Sequence, residues 1–410
     1  MSDFPPRNRL SRTTTLAVAG LGVTQIVGWG STYYLLTLLG GPIAADLGFN
    51  PALVAAGLSI MLVLGAVLGP VAGRAMDTRG ARPMMALGSL LAAAGLLALS
   101  QAAGVLSYLG AWLVIGLAAP LILYPAAFTA LTQVAPGEAR QSITWLTLPG
   151  GLASTVFWPL THWLLNIWHW RTICLAYALI HLLVCLPLHL AVIRRASAEV
   201  VAAAEAAHKA IGLPVAARRR AALLFAAALA FNSLLVTGLL NQFVTVMHAI
   251  GQPAQWVVTL GMTFGIAQTS ARIIDLITGA RLDALRLGVA VAAGFPLAYG
   301  LLLIAPGAAV AGFGFAVLLG MSNGVWTIVR GAVVLRLFGV AGYGENLGTV
   351  IVAQGLAAAA APMVFAALVD TLGAYAALAF STVVALMGLV AMVALLRHAG
   401  ASELAARDQG

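Results

Sequence analysis

Four short polar series recur at one-turn spacing inside otherwise apolar stretches of the chain. Gln25, Trp29 and Tyr33 stand at i, i+4 and i+8, on one face of a helix. Thr144, Thr147, Gly151 and Thr155 form a second stripe, and Ser233, Thr237, Asn241 and Thr245 a third, which ends at His248. The fourth is Gly265, Gln268, Arg272, Asp275 and Gly279. Ser322, Asn323, Trp326 and Arg330 cluster in another apolar stretch, and Tyr124 stands nearly alone in its own. Polar groups held in apolar helices can line a water-filled path and hold a solute there. The bland reading of each Ser or Thr is interhelical packing. Gln25 and Asn241 cost more to bury and carry more weight. Arg272 and Arg330 carry the most, although a guanidinium near a helix end can reach water and Arg272 could pair with Asp275.

Catalytic signatures are missing. The chain has no nucleophile elbow, no H-E-x-x-H and no phosphate-binding P-loop. The seven histidines fit no metal spacing, so neither a metal nor a cofactor is expected. His181 and His189 have no visible partner, which weakens a membrane-embedded enzyme as an alternative class.

The elements that position these groups follow from composition. Of 410 residues, 62% are hydrophobic and only 8% charged, against about 25% charged in soluble domains. Twelve apolar runs can be read, at 13–39, 51–73, 83–102, 105–134, 141–165, 171–193, 221–248, 254–277, 285–305, 308–330, 345–368 and 374–396. The expected class is an all-α membrane protein with twelve transmembrane helices, which excludes a nucleic-acid binder and a β-barrel. Lys209 and 19 arginines fall on one side of this arrangement, and Arg171 alone on the other. That places both termini in the cytoplasm. Trp158, Trp163, Trp168 and Trp170 gather at the outer ends of spans five and six and read as interface anchors.

The one long polar connection, 194–220, divides the chain into bundles at 1–193 and 221–410. Its Ala-rich stretch, 196–217, could lie along the membrane surface. The halves share a weak likeness. Gly48-Phe-Asn-Pro51 and Gly80-Ala-Arg82 bracket span two, as Gly251-Gln-Pro253 and Gly279-Ala-Arg281 bracket span eight.

The stretch Gly73-Arg-Ala-Met-Asp77-Thr-Arg-Gly80-Ala-Arg82 resembles the G-x-x-x-D-x-x-G-x-R signature of the major facilitator superfamily. Gly28-Trp-Gly-Ser-Thr-Tyr-Tyr34, Gly151-Leu-Ala-Ser-Thr-Val-Phe-Trp-Pro159 and Arg330-Gly-Ala-Val-Val-Leu-Arg-Leu-Phe-Gly339 look like a bacterial subgroup of that superfamily. Arg272 adds a faint likeness to its monocarboxylate and oxalate/formate branch. Span four lacks the R-x-x-x-G of drug–proton antiporters, and Pro149-Gly150-Gly151 only hints at their span-five motif.

The resemblance implies a monomeric secondary transporter in a bacterial inner membrane, with two six-helix bundles working by rocker-switch alternating access. Gln25, Trp29, Tyr33, Tyr124, Thr144, Thr237, Asn241, Gln268, Arg272, Asn323, Trp326 and Arg330 would contact the substrate. Gly73, Asp77, Gly80 and Arg82 would gate, and Asp275 or His248 would couple transport to an ion, protons being one candidate. Positive sites opposed only by Asp275 favour a small organic anion, and efflux of neutral or amphipathic compounds is the alternative.

Overall fold

The structure, a computed structural model, describes residues 10–194, 196–197, 199–200, 202, 213, 215–278 and 282–407. Its regular elements are helical, as apolar surroundings require, because a helix satisfies its backbone groups internally. Each expected run falls on helix. Span one comprises Arg12–Gly28, a π turn at Trp29–Tyr33 and Leu35–Leu47. Span two is Pro51–Val67 plus Gly69–Arg79, and span three is Ala81–Ser100. Span four is Val105–Ile122 plus Tyr124–Val134, and span five is Ala139–Gly151 plus Ala153–Leu165. Span six runs Trp170–Ile180, a π turn His181–Cys185 and Leu186–Val192. Spans seven to ten are Val215–Ala249, Ala254–Ile277, Ala284–Ile304 and Ala309–Phe338. Spans eleven and twelve share the helical stretch Tyr343–Arg407, broken at Gly373, where φ is 83°.

Among the described residues, eight of these helices are long and apolar enough to cross a membrane, and span two adds a ninth as a pair bent by 52°. Spans one and five are interrupted and do not pass that test. The interruptions correct the expectation of continuous runs. Pro125 has no N–H for the carbonyl of Leu121, and span four parts at Leu123. Pro149 likewise precedes the break of span five at Leu152, and Pro70 follows the bend of span two at Leu68. Most of the Ala-rich 196–217 stretch, and Gly279 to Arg281 of the internal likeness, lie outside the described residues.

The chain divides into two compact units. Unit 1 is Met1–His208 with Val340–Thr349, and unit 2 is Lys209–Gly339 with Val350–Gly410. The first residues of span eleven go with unit 1 rather than with the second bundle. Small residues allow close crossings inside each unit. In unit 1 a Cβ on Gly57 would stand 2.4 Å from the Trp112 ring. In unit 2 one on Gly238 would stand 2.1 Å from Phe365.

Trp170 is not an interface anchor. It is 1% exposed, and its indole donates to Asp46 at 3.2 Å. Arg171 beside it donates to Asp46 at 2.9 Å and to the carbonyls of Ser100 and Ala102 at 3.0 and 2.7 Å. Arg171 thus ties the ends of spans one, three and six. Trp158, Trp163 and Trp168 remain exposed, as anchors would be.

Candidate functional site

In unit 1 the π turn of span one meets the break in span four. The turn is marked by the Tyr34 N–H, which donates to the Trp29 carbonyl at 3.0 Å, five residues back. At the break, the Ala126 N–H turns to Leu123, which frees the carbonyl of Ile122. Gln25 is fully buried and fills that position, its Nε2 donating to Ile122 at 2.7 Å. Its Oε1 has no partner among the described residues, and neither has the buried Nε1 of Trp29 one turn on. An acceptor and a donor therefore stand free on one helix face.

Aromatic rings wall this face. The Trp29 ring lies 5.4 Å from both Tyr33 and Tyr124, and Tyr124 stacks on Phe128, also at 5.4 Å. Gly150 gives Tyr124 its place, because a Cβ there would stand 2.4 Å from the phenol oxygen. The Tyr124 hydroxyl donates to the Thr147 carbonyl at 3.4 Å. Thr144 and Thr147 are buried, but their hydroxyls donate to carbonyls of their own helix, Arg140 and Thr144. The arrangement can stack the flat face of a small solute and offer it one N–H and one carbonyl oxygen. Replacing Gln25 by Leu leaves the Ile122 carbonyl buried without its donor. The expected loss is about 1–3 kcal/mol of stability, read as a lower melting temperature of the purified protein. An unchanged melting temperature would mean that this carbonyl finds another donor.

Unit 2 gathers its polar residues differently. Arg272 is 3% exposed and does not reach out of the protein. Its Nε donates to the carbonyl of Gly324 at 3.1 Å, tying span eight to span ten. That crossing is close, since a Cβ on Gly324 would stand 2.3 Å from the carbonyl oxygen of Gln268. Asp275 is buried one turn further on. Gln268 and Asn323 are half-buried nearby in sequence. Arg330 is half-buried, with Nη1 3.5 Å from Gln354 Oε1. Trp326 is buried against Phe295, ring centres 5.8 Å apart, and lines a small cleft together with Asn232. Thr237 is half-buried, whereas Asn241 and His248 are exposed. The Asn241 amide donates to the Thr237 carbonyl at 2.7 Å, within its own helix. In span seven the buried amide is Asn232, which the four-residue stripe through Ser233 passed over.

The end of span two makes a different arrangement, again inside unit 1; Gly73 and Asp77 lie in its last helical turns rather than in a loop after it. Asp77 caps the start of span eleven, accepting from the N–H groups of Gly344 at 3.0 Å and Glu345 at 2.8 Å. A carboxylate at a helix N-terminus also gains from the helix dipole. Gly73 allows the approach, because a Cβ there would stand 2.0 Å from the Gly344 carbonyl oxygen. One turn away Gly69 meets Gly348. Arg74 pairs with Glu345, but both are well exposed, so the pair contributes little. Gly80 has φ 96°, which favours glycine. Gln133, not singled out in the sequence, accepts from the Ala81 N–H at 2.8 Å and donates to the Met76 carbonyl at 2.9 Å. Arg82 is exposed.

The sequence matches the profile of the Major Facilitator Superfamily over residues 21–328. Several solved structures share the fold. The proton:xylose symporter XylE, bound to 6-bromo-6-deoxy-D-glucose, is 14% identical over 94% of each chain, with a TM-score of 0.70. The human organic anion transporter MFSD10 is 18% identical over 95% of this chain and 100% of its own, TM-score 0.68. The E. coli fucose:proton symporter FucP is 13% identical over 94% and 99%, TM-score 0.68. No curated protein sequence matches the chain.

Proposed function

The chain belongs to the major facilitator superfamily, and on that footing we propose a secondary active transporter of a small organic solute. It would work by rocker-switch alternating access of two six-helix bundles. With no P-loop, the energy would come from an ion or solute gradient. The observation that carries this reading is the wall of Trp29, Tyr33 and Tyr124 one turn from the Gln25 oxygen, which like the Trp29 N–H has no partner among the described residues, where two broken spans meet. Interrupted membrane helices of this kind recur at transporter binding sites.

An organic anion is the proposed substrate class. Its support is the cationic pair Arg272 and Arg330 in unit 2, with Asp275 the one carboxylate on the same polar face. The uncharged cluster in unit 1 favours the second reading, a neutral or amphipathic solute. Asp77, which anchors the first turn of span eleven, would gate with Gly73, Gly80 and Arg82. Asp275 is the buried candidate for ion coupling, and His248 an exposed one.

Uptake by the purified full-length protein in proteoliposomes tests this. Monocarboxylates and dicarboxylates are offered beside neutral sugars and amphipathic amines, with and without a pH gradient. Accumulation of a carboxylate supports the anion reading, and accumulation of neutral compounds alone replaces it with the second. If no compound accumulates, the transport reading falls. The basic asymmetry adds a topology prediction for a bacterial inner membrane. Reporters fused at 194–220 and at both termini should report cytoplasm, and a periplasmic signal from the central loop would overturn it.

A further inference from the structure

Span six carries two histidines that neither the aromatic wall nor the gate uses. His181 and His189 are each 1% exposed, and each meets a serine across a helix interface. Nε2 of His181 lies 2.9 Å from Ser31 Oγ in span one, and Nδ1 of His189 lies 2.8 Å from Ser89 Oγ in span three. The hydrogen inventory sets the direction at Ser31. Its hydroxyl donates to the Val27 carbonyl at 2.6 Å, so its lone pair accepts from the His181 Nε2–H. Nδ1 of His181 is then a bare, buried lone pair with no partner among the described residues.

The backbone distinguishes His181 from His189. Ser31 lies in the π turn Trp29–Tyr33, and His181 opens the π turn His181–Cys185. In the second turn the Leu186 N–H donates to the His181 carbonyl, five residues back. Such turns are rare and recur at functional sites. Here two of them are joined by one serine–histidine bond. Ser31 also stands midway between Trp29 and Tyr33, so a shift of this contact moves the aromatic wall.

Few other groups can take or give a proton there. Spans one and three and the two flanking parts of span six pack against the second π turn. Their titratable or charged side chains are Arg12, Tyr33, Tyr34, Asp46, Arg82, Arg171, Cys174, Tyr177 and His189, with Cys185 in the turn itself. Asp46 is held at the far end of span one by Arg171 and Trp170.

We propose that His181 is a proton-binding group of this transporter, beside the ion-coupling candidates Asp275 and His248. Nδ1 takes a proton from a hydronium ion when the Ser31 contact opens to water. An N–H bond forms, an O–H bond breaks, and the imidazolium carries the charge. Before the contact closes again, the Nδ1–H returns its proton to water, because the closed site offers that N–H no acceptor. Proton binding and the closed Ser31–His181 contact therefore exclude each other, and the wall formed by Trp29 and Tyr33 follows. The link to solute rests on reading that wall as the solute site.

The test uses the full-length protein in lipid nanodiscs with ¹⁵N-labelled histidine and tryptophan. Spectra of His181→Gln and Trp29→Phe assign the two signals. From about pH 8 down to the lowest pH at which the protein stays folded, His181 should pass from the neutral Nε2–H form to the imidazolium, and the Trp29 indole signal should move with it. In Ser31→Ala the two signals should uncouple while the other indole signals stay in place. A His181 that stays neutral throughout, or that titrates without moving Trp29, overturns the proposal. A second arm uses any solute that the wild-type protein accumulates in proteoliposomes. His181→Gln should abolish the dependence of that accumulation on the pH gradient, and retained dependence overturns the proposal. If the wild-type protein accumulates nothing, the transport reading falls and the titration still decides the proton site.

Discussion

Gly73→Val is expected to be among the most damaging single substitutions in the chain. Even a Cβ at this position stands 2.0 Å from the Gly344 carbonyl oxygen, 2.3 Å from its carbon and 2.8 Å from the Glu345 nitrogen. All three are backbone atoms, which cannot rotate away as a side-chain tip would. Either the helix start at Tyr343 moves or the Asp77 cap breaks. Overpacking of this kind costs typically about 1–3 kcal/mol. Asp77→Ala tests the same contact without a clash. It removes the acceptors of two backbone N–H groups at a helix start, an expected loss of about 0.5–2 kcal/mol. If that cap holds one conformation of the transport cycle, turnover should fall roughly tenfold while equilibrium substrate affinity stays within a few-fold. Turnover and affinity measured separately in proteoliposomes check this. A collapse of affinity with normal turnover of the bound fraction would place Asp77 in the binding site instead.

Arg272 carries the second large effect. Its Nε–H serves a backbone carbonyl in a buried helix crossing, and lysine has no planar secondary nitrogen to replace it. Both Arg272→Lys and Arg272→Gln should therefore lower the stability of unit 2, by about 1.5–3 kcal/mol for a bond made by a charged group. If the outer guanidinium nitrogens also hold a carboxylate, anion affinity per folded molecule should fall at least roughly tenfold in Arg272→Lys and further in Arg272→Gln. Arg330→Lys should be milder, since Arg330 is only half-buried. Melting temperature and affinity, normalised to folded protein, separate the two roles. Unchanged anion affinity in the folded fraction of Arg272→Gln would remove the main argument for an anion and favour the neutral solute.

How far each site was legible depended on the range of the interaction. The spacing of Gln25, Trp29 and Tyr33 placed them on one face, and the rings of Trp29 and Tyr33 meet there. That Tyr124 joins them depends on a break in span four and on Gly150 in span five. The threonine stripe of span five was equally visible, yet its hydroxyls bond their own helix. Asn232 was missed because the stripe was drawn through its neighbour Ser233. His181 and His189 looked partnerless, since their serines lie 150 and 100 residues away along the chain.

By itself the sequence determined the class of the protein. Long apolar runs can only be helices in lipid, and the spacing of Gly73, Asp77, Gly80 and Arg82 marked the junction of spans two and three. Those properties are local, arising from composition and from the helical repeat. The tertiary structure alone decided which polar atom meets which. A carbonyl freed at a helix break, such as that of Ile122, is invisible until the break forms and a distant side chain such as Gln25 reaches it. The same holds for Arg272 at Gly324 and for Asp77 at the start of span eleven. In each case the partner is a backbone group, which every residue possesses, so side-chain identity cannot announce it; a helix break selects it at Ile122, and the close approach of two helices at a glycine selects it in the other two.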